Sequence, residues 1–126
     1  MEPIILEPGG GTAYEMGRIT ATFKADVPGA TISEWWLDPD TAGPGTHQHD
    51  EDDVFYVLAG TMRIMVDGTW HEAGPGTYVH VPGGTPHDFE NRGTERAGML
   101  NVSIPGGFEA AMPAIADWFR ERDAGT

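Results

Sequence analysis

Short runs of alternating apolar and polar residues, each ended by turn-forming residues, occupy most of the chain. Within residues 30–37, Trp36 falls on one face and Trp35 on the other, as in a β-strand. An Asp-Gly pair at 67–68 is typical of a hairpin turn between two such runs. On these criteria we predict strands at residues 18–25, 30–37, 54–58, 61–66, 69–72, 77–81, 86–91 and 97–104.

The pattern becomes helical near the C-terminus. From Phe108 onward, apolar residues recur at helical spacing, and Pro113 suits the first turn of a helix better than its middle. We therefore expect one main helix at about 113–122, with residues 108–112 leading into it. About eight to ten short strands followed by one helix indicate an all-β fold, either a closed barrel or a jelly roll.

Composition agrees with this prediction and narrows the chemistry. A chain of 126 residues suits one domain, which we place at 1–126, and its 18 glycines and 10 prolines favour many tight turns. The absence of cysteine excludes disulfides and thiolate-metal sites. Any metal site must therefore use histidine and carboxylate ligands.

Charge and hydropathy exclude several partners. A formal net charge of −13 repels phosphate backbones and anionic lipid, so we expect neither nucleic acid nor a membrane as a partner. The N-terminus has no basic start or long apolar run, and no apolar stretch approaches the roughly 20 residues that cross a bilayer. We expect a cytoplasmic protein that acts on or binds a small molecule.

Four residues form a candidate metal site. His47 and His49 are separated by one residue, so in a strand both imidazoles point to the same face. Asp53 lies four residues beyond His49, and His87 follows a Pro-Gly turn. Imidazole suits Zn, Ni, Cu and Fe, and a carboxylate extends the range towards Mn. We predict that His47, His49, His87 and Asp53 bind one divalent transition metal ion and leave positions open for a substrate.

The sequence around these residues resembles the cupin family in two segments, 43–60 and 76–91. The second cupin motif, Gly-x5-Pro-x-Gly-x2-His-x3-Asn, is matched at every spacing, and its histidine is His87. The first motif, Gly-x5-His-x-His-x3,4-Glu-x6-Gly, is matched by His47, His49 and Gly60. This resemblance implies the cupin double-stranded β-helix, a jelly-roll barrel, with a short C-terminal helix.

Two departures from the first motif stand out. Thr41 occupies the glycine position, with Gly43 and Gly45 nearby, and Asp53 occupies the glutamate position. Aspartate is one methylene shorter, so its carboxylate reaches roughly 1.3–1.5 Å less far. Asp53 would then ligate directly, ligate through a water, or compete with Glu51; we favour direct ligation.

Other residues are candidates for catalysis and for the substrate pocket. Asp53 would handle a proton, and so would His80 if it lines the pocket, because its unperturbed pKa lies near neutrality. His80 fits a packing or interface role equally well. Apolar residues expected around a hydrophobic or aromatic substrate are Trp36, Phe55, Val57, Phe89, Met99, Phe108 and Met112.

The resemblance implies the fold and the metal more directly than the reaction, since one fold hosts many chemistries. The short barrel is most similar to quercetin-dioxygenase-like single-domain cupins, which implies a dioxygenase-like oxidoreductase. A non-oxidative isomerase, lyase or cyclase and a non-catalytic ligand-binding domain remain alternatives. Related barrels pair through strand edges, so the resemblance implies a homodimer, with residues 3–6 available for strand exchange.

Overall fold

The computed structural model describes residues 1–125 and contains nine strands followed by a helix. All eight predicted strands are present within about two residues at each end, and one further strand, β1, precedes them. The strands are β1 Thr12–Met16, β2 Ile19–Val27, β3 Ala30–Leu37, β4 Asp52–Ala59, β5 Met62–Val66, β6 Thr69–Ala73, β7 Tyr78–Val81, β8 His87–Glu90 and β9 Ala97–Ile104. A 3-10 turn at Phe108–Ala111 leads into the helix α1, Met112–Ala124, which extends beyond the predicted 113–122 at both ends.

The strands form two antiparallel sheets. The larger has the order β1-β2-β3-β9-β4-β7, and the smaller has the order β6-β5-β8. Segment 41–47 runs antiparallel beside β8 and joins it through two isolated bridges, Thr41 with Asn91 and His47 with His87. This double-sheeted architecture is the jelly roll that the sequence predicts.

The core lies between the two sheets and is built from the inward face of each strand. In β3, Trp35 and Leu37 point inward and are at most 5% exposed, whereas Trp36 points outward over Gly98. Met99 of β9 pairs with Trp35 in register and is fully buried. Each such buried apolar side chain contributes roughly 1.5–3 kcal/mol relative to an exposed one.

Helix α1 packs on β1 at one side of the barrel. Pro113 lies in its first turn, where the missing N–H costs no helical hydrogen bond. Arg120 Nε donates to the carbonyl oxygen of Glu15 at 2.9 Å, and Asp123 Oδ2 accepts the backbone N–H of Arg18 at 2.8 Å. These contacts fix the position of α1 relative to the sheet. Within residues 1–125, no helix combines the length and the apolar character needed to cross a membrane.

Candidate metal centre

Backbone pairing places His47 and His87 side by side. The N–H of each residue donates to the carbonyl oxygen of the other, at 3.0 and 2.9 Å, and the ring centroids lie 4.3 Å apart. Gly43 allows this close pairing, because a Cβ there would overlap the carbonyl oxygen of Phe89. His49 follows two residues after His47, and its ring lies 4.9 Å from that of His87.

Hydrogen bonds orient all three imidazoles in the same way. Nδ1 lies 2.8 Å from the Gly45 carbonyl oxygen in His47, 3.0 Å from that of Glu51 in His49, and 2.8 Å from that of Thr85 in His87. A carbonyl only accepts, so each Nδ1 carries a proton and Nε2 is left to act as a ligand. One ligand atom of each histidine lies within 4.8 Å of the other two. The three histidines therefore fit a metal ion, because a backbone carbonyl bonded to the second ring nitrogen is the usual support of a metal-binding histidine.

Asp53 faces the same point from β4. Its Oδ2 lies 3.0 Å from Nε2 of His49 and 3.1 Å from Nε2 of His87. Its Oδ1 accepts hydrogen bonds from Ser103 Oγ at 2.7 Å and Asn101 Nδ2 at 3.2 Å. One carboxylate oxygen is thus held by β9 while the other points at the histidines, and the side chain is only 5% exposed.

The pKa shifts within the group favour an ionised Asp53 and a neutral His47, and they favour the protonated form of His87. Burial alone would raise the pKa of Asp53, but hydrogen bonds from His87, Ser103 and Asn101 outweigh it and lower the pKa. Burial lowers the pKa of His47, and the neighbouring histidines add to the effect. Burial also opposes a charged His87, but the bonds to Asp53 and Thr85 prevail and raise its pKa. Because the pKa of His87 is raised, a proton on its Nε2 competes with a metal ion for this position.

A cavity of about 340 Å³ opens beside this group. Most of the lining residues are aromatic or apolar, and the exceptions are the metal-centre residues and Asn101. The lining consists of Trp35, Pro44, His47, His49, Asp53, Phe55, Phe89, Asn101, Phe108, Ile115, Trp118 and Phe119. The arrangement gives one polar, metal-binding end and an otherwise apolar wall. Such a combination is typical of a small-molecule site.

The predicted pocket residues fall into three groups. Phe55, Phe89 and Phe108 line the cavity. Val57, Met99 and Met112 are at most 1% exposed and lie in the hydrophobic core, away from the cavity surface. Trp36 belongs to neither the cavity wall nor the core, because it occupies the outward face of β3, where the guanidinium of Arg96 lies 5.0 Å from its ring.

His80 also lies outside the cavity. It pairs in register with Val54 on the outer face of the larger sheet, whereas the next residue, Val81, pairs with Asp53 on the inner face. Its Nε2 contacts Asp52 Oδ2 at 3.1 Å, and its side chain is about half exposed. Strand alternation therefore separates His80 from the metal centre.

Several cavity residues were not among those predicted. Trp35 shares strand parity with Leu37, which the structure buries, but alternation in the sequence does not indicate which of the two faces turns inward. Ile115, Trp118 and Phe119 recur at helical spacing, but the sequence does not indicate which wall the helix forms. Asn101 could have been identified as a candidate because it is a polar residue within a mostly apolar strand.

Comparison with known proteins gives a family. The cupin domain model matches residues 33–103, which include the whole metal centre. Quercetin 2,3-dioxygenase of Bacillus subtilis (strain 168) is 30% identical over 120 residues, which cover 91% of this chain and 35% of that protein. The chain thus spans about a third of the length of this relative.

Solved structures agree on the fold. KdgF from Halomonas sp. superposes with a TM-score of 0.76 at 17% identity, covering 87% of this chain and 99% of that one. The polyketide cyclase RemF from Streptomyces resistomycificus superposes with a TM-score of 0.71 at 23% identity, covering 82% and 80%. With the domain match and the three-histidine site, these findings show that the chain belongs to the cupin family.

Proposed function

We propose that this cupin is a metal-dependent enzyme of the dioxygenase-like type that acts on a small organic molecule. His47, His49, His87 and Asp53 would hold one divalent transition metal ion, of Fe, Mn, Ni, Zn or Cu. One observation carries the proposal. The Nδ1 atoms of three histidines are satisfied by carbonyl groups, and the Nε2 atoms of two of them face a buried carboxylate at the end of an apolar cavity.

The protein's own groups have distinct tasks in this proposal. A metal bound here would supply Lewis-acid or redox chemistry at its open positions. Asn101 and Ser103 hold Asp53 Oδ1, so Oδ2 stays aimed at the histidines. Asp53 Oδ2 is also the atom that would accept a substrate proton, because Asp53 is the one carboxylate of residues 1–125 that lines the cavity. His80 has no place in this scheme, since its imidazole lies on the outer face of the sheet.

The similarity to quercetin 2,3-dioxygenase supports the oxidative reaction. A non-oxidative isomerase, lyase or cyclase reaction is the second candidate, supported by a cavity that offers a proton acceptor at Asp53. Apart from Asp53 and the metal-site histidines, the lining residues bring no acid or base. A domain that binds its ligand without turnover is the third outcome of the experiments below.

Metal content tests the ligand set. We expect His87→Ala to lose most of the bound metal, measured by elemental analysis of purified protein. His71→Ala is the matched control, because His71 lies exposed on β6, outside the metal centre. Equal metal content in both variants would overturn the ligand assignment.

Oxygen consumption tests the reaction. The protein is reconstituted anaerobically with Fe(II) or Ni(II), and oxygen uptake is then followed with flavonols and diketones. Substrate-dependent uptake supports the dioxygenase, and substrate loss without uptake supports the non-oxidative reaction. No uptake and no substrate loss with any fully metallated form would indicate a domain that binds its ligand without turnover.

We also propose that the chain forms a homodimer. The outer face of the larger sheet exposes large apolar side chains, at 41–60% of their surface, from three neighbouring strands: Tyr56, Leu58, Tyr78 and Ile104. An apolar face of this kind favours burial against a second sheet. Light scattering behind size-exclusion chromatography tests the proposal, and a particle of 13.6 kDa would contradict it.

A further inference from the structure

Aromatic rings form most of the wall of the cavity beside the metal centre. Trp35 and Phe89 meet edge to face with centroids 5.8 Å apart, and Phe55 lies 6.0 Å from Phe89. Phe108 and Phe119 complete the wall towards α1. Ring faces and edges of this kind pack best against another flat ring, because aromatic pairs gain more than their buried area alone provides.

Within residues 1–125, the cavity offers an anionic ligand no lysine or arginine as a counter-ion. In the part of the chain that the structure describes, no lysine or arginine lines the cavity. Arg122, which lies near its rim, is already engaged: Nη1 donates to the Gly43 carbonyl oxygen at 2.8 Å, and the guanidinium lies 4.9 Å from the Phe119 ring. The net charge of −13 adds a repulsive field. A dicarboxylate or a sugar phosphate would therefore find no counter-ion beyond the metal itself.

Trp118 forms the outer part of the wall. Its indole lies 5.0 Å from the Phe119 ring at an interplanar angle of 80°, and the guanidinium of Arg122 lies 5.6 Å from it. The side chain lines the cavity yet remains 50% exposed, which places it at the boundary between cavity and solvent. A ligand that extends from the cavity towards solvent therefore meets Trp118.

We propose that the cavity binds an uncharged, planar aromatic molecule of about two rings. Its oxygen-bearing edge faces His47, His49 and Asp53, the metal-centre residues that line the cavity, and its other ring packs against Trp118, which sets the length of ligand admitted. A volume of about 340 Å³ is near the lower end of the roughly 300–1,000 Å³ of ligand pockets, which fits this size. This inference rests on the proposed function, since it names the class of substrate for the same site.

Binding to the zinc-loaded protein tests the inference without requiring turnover. The probes are 2,3-dihydroxynaphthalene, its 6-phenyl derivative, oxalate and glucose 6-phosphate, each measured by isothermal titration calorimetry. We expect the wild type to bind the naphthalenediol at least tenfold more tightly than either anion. We expect Trp118→Ala to weaken the naphthalenediol about 2- to 12-fold, the loss of one aromatic pair, and to bind the 6-phenyl derivative more tightly than the wild type does.

Trp70→Ala is the matched control. Trp70 is also an exposed tryptophan beside an arginine, with Arg63 4.9 Å from its ring, but it lies on β6 and does not line the cavity. Trp118→Phe keeps an aromatic ring and should retain most of the affinity, which separates a stacking contact from a general loss of structure. Thermal melting of each variant checks that the protein is folded.

The outcomes separate this inference from the proposed function. Anions that bind as tightly as the naphthalenediol, or Trp118→Ala and Trp70→Ala variants that behave alike with both aromatic probes, would overturn the inference. Binding that depends on Trp118 without turnover by any metallated form supports the inference and refutes the enzyme. Turnover of a non-aromatic substrate without naphthalenediol binding supports the enzyme and refutes the inference.

Discussion

Replacing Ser103 by alanine removes one hydroxyl that positions the carboxylate of Asp53. Ser103 Oγ donates to Asp53 Oδ1 at 2.7 Å, and the serine is 2% exposed. A hydrogen bond to a charged acceptor contributes about 1.5–3 kcal/mol, which corresponds to about 10- to 150-fold in an equilibrium. Asn101 still holds the same oxygen at 3.2 Å, so part of the orientation survives. We therefore expect Ser103→Ala to weaken metal binding about 10- to 100-fold, the usual cost of losing a partner of a metal ligand.

The assay is a Zn²⁺ titration against a chelating dye, with Ser33→Ala as the matched control. Ser33 is fully buried on the neighbouring strand, but its hydroxyl accepts a hydrogen bond from Trp35 Nε1 and does not contact Asp53. Ser33→Ala should lose about 1 kcal/mol of unfolding free energy and Ser103→Ala about 1.5–3 kcal/mol, and only Ser103→Ala should lose metal affinity. Equal zinc affinities in the two variants would refute the reasoning, because the Ser103 hydroxyl would then not position the carboxylate for the metal.

Three further predictions concern other parts of the fold. Gly43→Ala should cost about 1–3 kcal/mol of unfolding free energy in urea denaturation and weaken metal binding, because the new Cβ overlaps the Phe89 carbonyl oxygen; Gly74→Ala, with no atom within 4 Å, should cost far less. Zinc affinity should fall as pH drops, starting above the ordinary histidine pKa of about 6.5, because the pKa of His87 is raised and its proton competes with the metal; an affinity that is constant with pH contradicts this. Asp26→Asn should lower the free energy of unfolding near neutrality by less than about 1 kcal/mol, because hydrogen bonds from Thr31 and the Gly107 N–H lower the pKa of Asp26; urea denaturation measures the difference. This contribution is present above the unfolded-state pKa of about 3.9 and is lost as pH falls through the lower folded-state pKa, so a difference that persists in strong acid would be inconsistent with it.

Strand positions and the histidine cluster were predictable because both depend on local sequence. A strand alternates its side chains at every second residue, so His47 and His49 share a face wherever the strand lies. The turn glycines and prolines between the strands fixed their ends to within about two residues. The three histidines that the motifs indicated do lie together, with their ligand atoms within 4.8 Å.

The cavity wall was less predictable because it depends on which face of each element turns inward. Alternation alone gives two faces for β3, and the choice between Trp35 and Trp36 is settled by Gly98, whose missing side chain makes room for Trp36 on the outside. His80 lies outward for a related reason, since the register of β7 places the neighbouring Val81 beside Asp53. Register between distant strands is a property of the folded sheet and has no signature in a single strand.

Asp53, the proposed fourth ligand, can be understood only from the sequence and the structure together. An aspartate in place of the longer glutamate would ordinarily fall short of a shared metal, but here Oδ2 comes within 3.1 Å of two imidazole Nε2 atoms. Asn101 and Ser103 of β9 hold the opposite oxygen, so the strand beside β4 aims the shorter side chain. The proposed carboxylate ligand is thus oriented by polar residues about 50 positions away in the sequence. The identity of the ligand and the residues that orient it therefore have to be considered as one unit, and variants of Asn101 or Ser103 address Asp53 more cleanly than removing the carboxylate itself.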